Sequence, residues 1–267
     1  MSDWPASLLL VGCGNMGGAM LAGWLAGGLD PARLTVVDPV LTEAPAGVRL
    51  LREVPVGAFD VVLLGIKPQA LGEVAPGLEP ATRGAIVLSI LAGAELATLA
   101  RHFPAAKALV RVMPNLAAAI GKSPLGLVAQ GLDVAGQAQV EALLAPLGTP
   151  EWLASEDQLD AVTALAGSGP AFVYRFIAAL AEGGAELGLD PAQADRLARA
   201  MVEGAAMLAA TSPESPANLA RRVTSAGGTT AAGLDAMDKD GAFAHLIAAT
   251  LRAARDRGAE LATAVRG

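Results

Sequence analysis

One stretch near the amino terminus decides the fold: Leu8-Leu9-Leu10-Val11-Gly12-Cys13-Gly14-Asn15-Met16-Gly17-Gly18. Its four leading apolar residues predict a strand buried on both faces, as in a parallel sheet. The glycines follow the G-x-G-x-x-G spacing, in which Gly12 permits a tight turn, Gly14 leaves the backbone open to a pyrophosphate, and Gly17 lets a helix pack closely. The helix predicted over residues 15–27 points its free N–H groups at such phosphates. The stretch therefore predicts the first strand, turn and helix of a dinucleotide-binding sheet.

A carboxylate follows the second predicted strand. Residues 33–37 form that strand and Asp38 ends it, close to the spacing of a ribose-binding acid in such a site. A carboxylate at this place binds ribose hydroxyls and repels a 2′-phosphate, which favours NADH over NADPH. Residues 39–46 contain no Arg or Lys that would bind such a phosphate. A turn aspartate beside Pro39 is the alternative interpretation.

The composition limits the classes of function. The 267 residues are 53% hydrophobic and 17% charged, which argues against disorder. The net charge is −7 and there is no basic cluster, so we expect no nucleic-acid partner. Cys13 is the one cysteine, which excludes an internal disulfide and predicts a reducing, cytoplasmic location. No apolar stretch of membrane-spanning length lacks glycine or charge, and no basic segment precedes the first apolar run, so neither a membrane partner nor a signal peptide is expected.

Strand and helix signals alternate through the first 156 residues. Further strands are predicted over residues 59–66, 85–90, 108–112, 125–129 and 151–153, and helices over residues 69–78 in part, 94–102 and 134–147. Residues 39–57 show weak periodicity and an uncertain short helix. This alternation is typical of a doubly wound parallel sheet of the Rossmann type.

The remaining residues, 157–267, predict a helical domain without convincing strands. Apolar residues recur at helical spacing over residues 170–187, 191–210 and 242–264, and a proline opens the first two helices. These helices are apolar on more than one face, and so small a domain cannot cover that surface alone. A homodimer is therefore expected.

Several residues at strand ends and helix starts are candidates for a site. Lys67 follows a strand and either faces a cofactor or is a surface lysine, while Asn115 either contacts a nicotinamide or caps the next turn. Ser168 is a candidate cap for the helix that Pro170 opens. Residues 223–230, Val-Thr-Ser-Ala-Gly-Gly-Thr-Thr, form either an anion site of backbone N–H groups and hydroxyls or a plain helix start with threonine caps. The two histidines show no metal-ligand spacing, so no metal site is predicted.

Together these motifs resemble the pyrroline-5-carboxylate reductase family over nearly the whole chain. The matching segments are Gly12-Cys13-Gly14-Asn15-Met16-Gly17, Lys67-Pro68, Arg111-Val112-Met113-Pro114-Asn115, Gly167-Ser168-Gly169-Pro170-Ala171-Phe172 and Val223-Thr224-Ser225-Ala226-Gly227-Gly228-Thr229-Thr230. The resemblance implies an N-terminal Rossmann domain, residues 1–156, and an all-helical dimerisation domain, residues 157–267. It also implies homodimers that often assemble further into decamers.

The resemblance assigns roles to individual residues. It implies cofactor contacts from Gly12, Gly14, Asn15, Met16, Gly17, Asp38, Ile66, Lys67, Pro68, Ala92 and Asn115. It implies a substrate-binding loop made of Ser225, Gly227, Gly228, Thr229 and Thr230. In that loop the N–H groups of Gly228 and Thr229 bind the substrate carboxylate, Ser225 supports the loop, and the catalytic Thr230 hydroxyl contacts the ring nitrogen. The implied reaction is hydride transfer from NADH or NADPH to C5 of Δ1-pyrroline-5-carboxylate, which gives L-proline.

Two features depart from the family pattern. Leu116 and Ala117 follow Asn115 where the family usually has Thr-Pro, so a hydroxyl near the nicotinamide is missing. The family often prefers NADPH, whereas Asp38 favours NADH, so both coenzymes stay open. The alternative functions are a reductase of related cyclic imines, a β-hydroxyacid dehydrogenase, and a dinucleotide-binding regulator without catalysis. The dehydrogenase needs a lysine on the helix over residues 170–189, which has none, and the intact loop 227–230 argues against the regulator.

Overall fold

The computed structural model describes the backbone of residues 4–266 and the side chains of residues 4–260. The chain divides into two compact units: one extends to Gly167 and includes the last helix from Ala254 on, and the other is Ser168–Ala253. The boundary predicted between residues 156 and 157 lies eleven residues before the division at Gly167, counted as 167 − 156, and stays a prediction.

The first unit is built on one eight-stranded sheet, with strand order β3-β2-β1-β4-β5-β6-β7-β8. The strands are β1 Leu8–Val11, β2 Leu34–Val37, β3 Arg49–Leu51, β4 Val61–Leu64, β5 Ile86–Ser89, β6 Ala108–Met113, β7 Ser123–Gln130 and β8 Gly148–Trp152. The doubly wound class is confirmed, because β2, β1, β4, β5 and β6 pair in parallel around β1 with helices between them.

Two details of the predicted sheet are wrong. The expected short helix within residues 39–57 is instead the edge strand β3, which pairs in parallel with β2. The sheet is also not wholly parallel, because β7 runs antiparallel to β6 and β8 follows β7 in parallel. The link between β6 and β7 holds only the short 3₁₀ turn Leu116–Ile120, and so short a link favours antiparallel pairing over a parallel crossover.

Five helices accompany the sheet in the first unit: α1 Asn15–Ala26, α2 Leu71–Thr82, α3 Leu96–His102, α4 Val134–Leu144 and α5 Gln158–Val162. The core strand β1 is buried on both faces, as the apolar run predicts. Leu8 and Leu10 pack with Met20 and Trp24 in one apolar cluster, whereas Leu9 belongs to a second cluster on the other face. Burial of both faces fixes the carboxyl ends of the central strands, where ligands bind in such sheets.

The second unit consists of helices joined by turns, with no strand among its described residues, as expected. Its helices are α6 Gly169–Glu186, α7 Pro191–Thr211, α8 Pro216–Arg222 and α9 Thr229–Met237, followed by α10 Ala242–Arg266, which continues beyond the unit. The short α8 was not predicted. Between α5 and α6 the break is a single residue after a π-helical turn, Thr163–Gly167, and the Ser168 side chain makes no capping hydrogen bond, so that predicted cap is wrong.

The second unit has almost no interior of its own. Among its residues only Ala194 and Ala198 are buried, where α6 and α7 pack together. Large apolar side chains remain exposed, including Tyr174 at 66%, Leu208 at 59% and Leu246 at 63%. The stretch Gln158–Glu186 is long and apolar enough to cross a membrane by length and composition, a test that core helices of soluble proteins also pass.

Candidate coenzyme and substrate sites

The glycine turn after β1 has the shape that the sequence predicts. Gly12 has φ +87°, and a Cβ there would lie 2.8 Å from the carbonyl carbon of Gly65. A Cβ on Gly17 would lie 2.5 Å from the Gly12 oxygen, so Gly17 is required by its contact with the turn itself. No atom lies within 4 Å of a Cβ built on Gly14, which is the N-cap of α1 and has no side-chain cap. The fold therefore requires Gly12 and Gly17, whereas Gly14 leaves an open approach to the helix N-terminus.

Asp38 is buried at the end of β2, with 9% of its surface exposed. Its Oδ2 accepts a hydrogen bond from the N–H of Cys13 at 2.7 Å, and its Oδ1 accepts from the N–H groups of Val40 and Leu41, both at 2.8 Å. Burial acts to raise the pKa of Asp38, but these three hydrogen bonds and the charge of Arg52 outweigh it and lower the pKa. These hydrogen bonds favour the charged form of Asp38 and connect the glycine turn to the loop after β2.

Cys13, whose N–H donates to Asp38, has a thiol of low reactivity. Its thiol is half-buried, and burial followed by the negative charge of Asp38 raises its pKa. The thiolate needed for a nucleophile is therefore disfavoured, which leaves Cys13 as a small side chain packed within the turn.

Arg52 is a site residue that the sequence reasoning missed. It follows β3 directly, and its Nη1 donates to the carbonyl oxygens of Asp38, at 2.8 Å, and Leu41. Residues 39–46, which follow β2 directly in sequence, contain no Arg or Lys. A prediction of β3 would have placed Arg52 at the same sheet edge as Asp38.

A cavity of about 780 Å³ opens at the carboxyl ends of β1, β2 and β4. Gly12, Gly14, Asp38, Ile66 and Lys67 all line it, so five of the predicted cofactor residues come together here. Asn15, Met16 and Gly17 form the first turn of α1, immediately after the turn that lines the cavity. The donor set fits an adenine dinucleotide, because it offers an open helix N-terminus for phosphates, a carboxylate for ribose and apolar walls for a base. Lys67 is exposed and lines this cavity, and its contact with a cofactor stays a prediction.

A second cavity, of about 390 Å³, lies at the ends of β5 and β6 and is lined by Pro68, Ala92, Arg111 and Met113. Arg111 is held there by Glu156: its Nη1 donates to Oε1 at 2.7 Å, and the side chains are 12% and 28% exposed. The same oxygen accepts the N–H of Leu96, at the start of α3, at 2.8 Å. Two of the predicted cofactor residues, Pro68 and Ala92, therefore line this neighbouring cavity.

Asn115 is buried, and both polar atoms of its side-chain amide make hydrogen bonds. Its Oδ1 accepts from the N–H of Ala117 at 2.9 Å, and its Nδ2 donates to the carbonyl oxygen of Ala166, in the π-helical turn, also at 2.9 Å. The capping alternative is thus confirmed. A contact from Asn115 to a nicotinamide stays a prediction.

The predicted substrate loop belongs to the second unit. Gly227 has φ +71°, and the N–H of Gly228 donates to the Ser225 oxygen at 3.0 Å, which closes the turn before α9. Gly228 is the N-cap of α9 and no side chain caps this helix, so the alternative with threonine caps is wrong. Thr229 and Thr230 are exposed in the first helical turn, where backbone N–H groups have no partner within the helix. This arrangement can bind an anion and present a hydroxyl beside it.

Comparison with known proteins gives a consistent result. The family model described as pyrroline-5-carboxylate reductase dimerisation matches residues 156–261, and the model described as NADP oxidoreductase coenzyme F420-dependent matches residues 7–93. A pyrroline-5-carboxylate reductase from Pseudomonas aeruginosa is 36% identical over 264 residues, which cover 96% of each chain. One from Aquifex aeolicus is 37% identical over 239 residues, covering 87% of this chain and 89% of the relative.

Solved structures agree with the sequence relatives. A pyrroline-5-carboxylate reductase from Coxiella burnetii superposes with a TM-score of 0.89 at 30% identity, covering 96% of this chain and 98% of that one. A Plasmodium falciparum pyrroline carboxylate reductase with NADP bound superposes with a TM-score of 0.82 at 22% identity, covering 97% and 98%. The second likeness concerns the fold alone.

Proposed function

The chain belongs to the pyrroline-5-carboxylate reductase family, and we propose that it reduces Δ1-pyrroline-5-carboxylate to L-proline with NADH or NADPH. The observation that carries the proposal is the cavity shared by Gly12, Gly14, Asp38 and Lys67 in a chain related to these reductases along its whole length. When bound, a dihydronicotinamide supplies the hydride that reduces C5 of the ring imine.

We propose that the coenzyme is held by the predicted residues in three groups. The open N-terminus of α1, at Gly14, Asn15, Met16 and Gly17, binds the pyrophosphate with backbone N–H groups, after the turn at Gly12. Ile66 contributes an apolar wall and Lys67 a positive charge. Pro68, Ala92 and Asn115 serve the nicotinamide half.

We propose NADH as the preferred coenzyme. Supporting this preference, Asp38 is a buried anion whose pKa is lowered, so it stays charged at the site of the adenosine ribose. A charged carboxylate accepts hydrogen bonds from ribose hydroxyls and repels a 2′-phosphate. The preference is measured by comparing kcat/KM for the two coenzymes.

We propose that the loop before α9 binds the substrate. The backbone N–H groups of Gly228 and Thr229 bind its carboxylate, Gly227 provides the left-handed turn, and Ser225 closes the loop through its carbonyl oxygen. Thr230 orients the ring nitrogen with its hydroxyl and passes a proton to it from solvent. A protonated imine is the better hydride acceptor, so this proton supports the chemistry directly.

We also propose a homodimer formed through the second unit. A unit with only two buried residues and several exposed large apolar side chains does not form a stable core alone, and residues 156–261 match a dimerisation model. Light scattering at micromolar concentration tests this, and a folded monomer contradicts it. Assembly into decamers and a cytoplasmic location remain predictions.

The reductase activity is tested directly by mixing the purified chain with pyrroline-5-carboxylate and each reduced coenzyme. Consumption of the coenzyme should match the proline formed, measured by chromatography. Coenzyme binding without proline formation would favour the regulator without catalysis. Activity confined to β-hydroxyacids would favour the dehydrogenase.

A further inference from the structure

Arg52 and Asp38 occupy equivalent places at the ends of neighbouring strands. Val37 of β2 pairs with Leu51 of β3, and the N–H of Asp38 donates to the Leu51 oxygen at 3.1 Å. The next residue on each strand is therefore a charged one, and both side chains line the cavity that contains Gly14. Since ligands bind at the carboxyl ends of parallel strands, the two opposite charges lie at one place in the proposed nucleotide site.

The position of Arg52 is fixed by the loop after β2. Its Nη1 donates to the Asp38 carbonyl oxygen, at 2.8 Å, and to the Leu41 carbonyl oxygen. A guanidinium has five N–H donors, and both of these bonds use one nitrogen. Within residues 4–260, Nε and Nη2 of Arg52 make no recorded hydrogen bond. Two nitrogens of a guanidinium presented together match the oxygens of a phosphate.

The carboxylate of Asp38, in contrast, is hydrogen-bonded mainly to the backbone. It accepts three backbone N–H bonds, from Cys13, Val40 and Leu41. These three bonds keep the carboxylate in place and leave about one of its roughly four acceptor positions for a ribose hydroxyl. The positive charge of Arg52 lowers the pKa of Asp38, and the same charge partly offsets the repulsion that Asp38 exerts on a second anion.

We propose that Arg52 binds the 2′-phosphate of NADPH, so that coenzyme choice is set by the balance between Asp38 and Arg52. Asp38 keeps NADH preferred, and Arg52 lets the same cavity accept the phosphorylated ribose. Glu53, which also lines the cavity, acts in the same direction as Asp38. The proposal rests on the proposed function only in placing the adenosine ribose in this cavity.

Two small nucleotides test the inference without catalysis. Adenosine 2′,5′-bisphosphate and 5′-AMP differ only in the 2′-phosphate, so the ratio of their dissociation constants measures how that group is bound. Arg52→Gln keeps an amide that can donate to the loop carbonyls but removes the charge. We expect it to weaken the bisphosphate relative to 5′-AMP by about tenfold or more, in calorimetry at low salt. Arg52→Lys, which keeps the charge but not the bidentate geometry, should fall between.

Arg49→Gln is the matched control, because Arg49 is an exposed arginine at the start of β3, just before Arg52, and does not line the cavity. It should leave the ratio within about twofold of wild type, since distant exposed charges are screened. An equal effect of Arg52→Gln and Arg49→Gln would show that positive charge acts on the phosphate only at long range, and would overturn the proposal. An unchanged ratio in Arg52→Gln, or tighter bisphosphate binding, would also overturn it, the latter by showing that Arg52 only holds Asp38 in place. If the nucleotide ratios of the variants change as expected but the wild-type chain forms no proline, the reductase proposal alone is refuted.

Discussion

Gly14→Val should weaken coenzyme binding strongly while changing the stability of the fold little. Gly14 has φ −70° and ψ −162°, an extended conformation that valine adopts readily. No atom lies within 4 Å of its Cβ position, so the side chain enters open space. The remaining cost is the poorer N-cap preference of valine, about 1 kcal/mol, which lowers Tm by about 2–4 °C in a chain of this size.

Coenzyme binding should respond much more strongly. The added methyl groups stand where the pyrophosphate would approach the first turn of α1, and they keep its oxygens away from the backbone donors. A hydrogen bond to a charged group contributes about 1.5–3 kcal/mol, so losing two weakens binding by roughly 10²–10⁴-fold. Calorimetric titration with NADH measures this dissociation constant, and thermal unfolding measures the stability of the same sample.

Two neighbouring glycines provide the controls. Gly18→Ala lies in the same helix, and its Cβ would meet only the Cys13 oxygen at 3.9 Å, so both stability and binding should stay near wild type. Gly17→Ala places a Cβ 2.5 Å from the Gly12 oxygen and should destabilise the fold by about 1–3 kcal/mol through overpacking. A folded Gly14→Val protein with wild-type NADH affinity would refute the placement of the pyrophosphate at this turn.

Three further outcomes are expected. Asp38→Asn should destabilise the fold most above about pH 4 and little below it. The reason is that a carboxylate with a lowered pKa stabilises the folded state above its unfolded pKa and loses that effect as pH falls. Unfolding measured across pH checks this, and a pH-independent difference in unfolding free energy between wild type and variant contradicts it. Arg111→Met should cost about 2–3 kcal/mol in urea unfolding by leaving Glu156 half-buried without its partner, and Glu156→Gln, which keeps an acceptor, should cost less. Thr230→Ala should lower kcat by roughly 10²–10⁴-fold if the hydroxyl supplies the proton, with Thr230→Ser restoring most of it. A changed KM alone would reduce Thr230 to a binding residue, and a loss of about 1 kcal/mol of stability with unchanged kinetics would leave it a helix residue only.

The fold was predictable wherever local signals were strong. The buried run at Leu8–Val11 and the glycine spacing after it predict β1, the turn and α1, and the helices α6 and α7 follow from apolar spacing opened by proline. The edge strand β3 gave no such signal, because it has three residues and none is fully buried. The direction of β7 depends on the length of the link before it, which propensity does not report.

The sequence predicts most residues of the site, but it does not predict what each of their side chains contacts. Asn115 fits two interpretations from sequence alone. Its Oδ1 accepts from the N–H of Ala117, which shows the cap, while its Nδ2 donates to the carbonyl oxygen of Ala166, 51 residues away in the chain. Ser168 and the paired threonines look like caps, yet the Ser168 side chain makes no capping bond and the N-cap of α9 is Gly228 rather than a threonine. Such outcomes depend on the backbone path, which a local pattern does not determine.

Arg52 shows how one missed element hides a functional residue. In sequence it lies 14 residues from Asp38, beyond the segment that directly follows β2. In a parallel sheet, however, each residue that follows a strand lies at the same edge as the others, whatever its distance in sequence. The shortest strand of the sheet therefore brings a cation to the carboxylate on which coenzyme choice was expected to depend. A prediction of coenzyme preference from the residue after β2 is complete only when the residue after β3 is included.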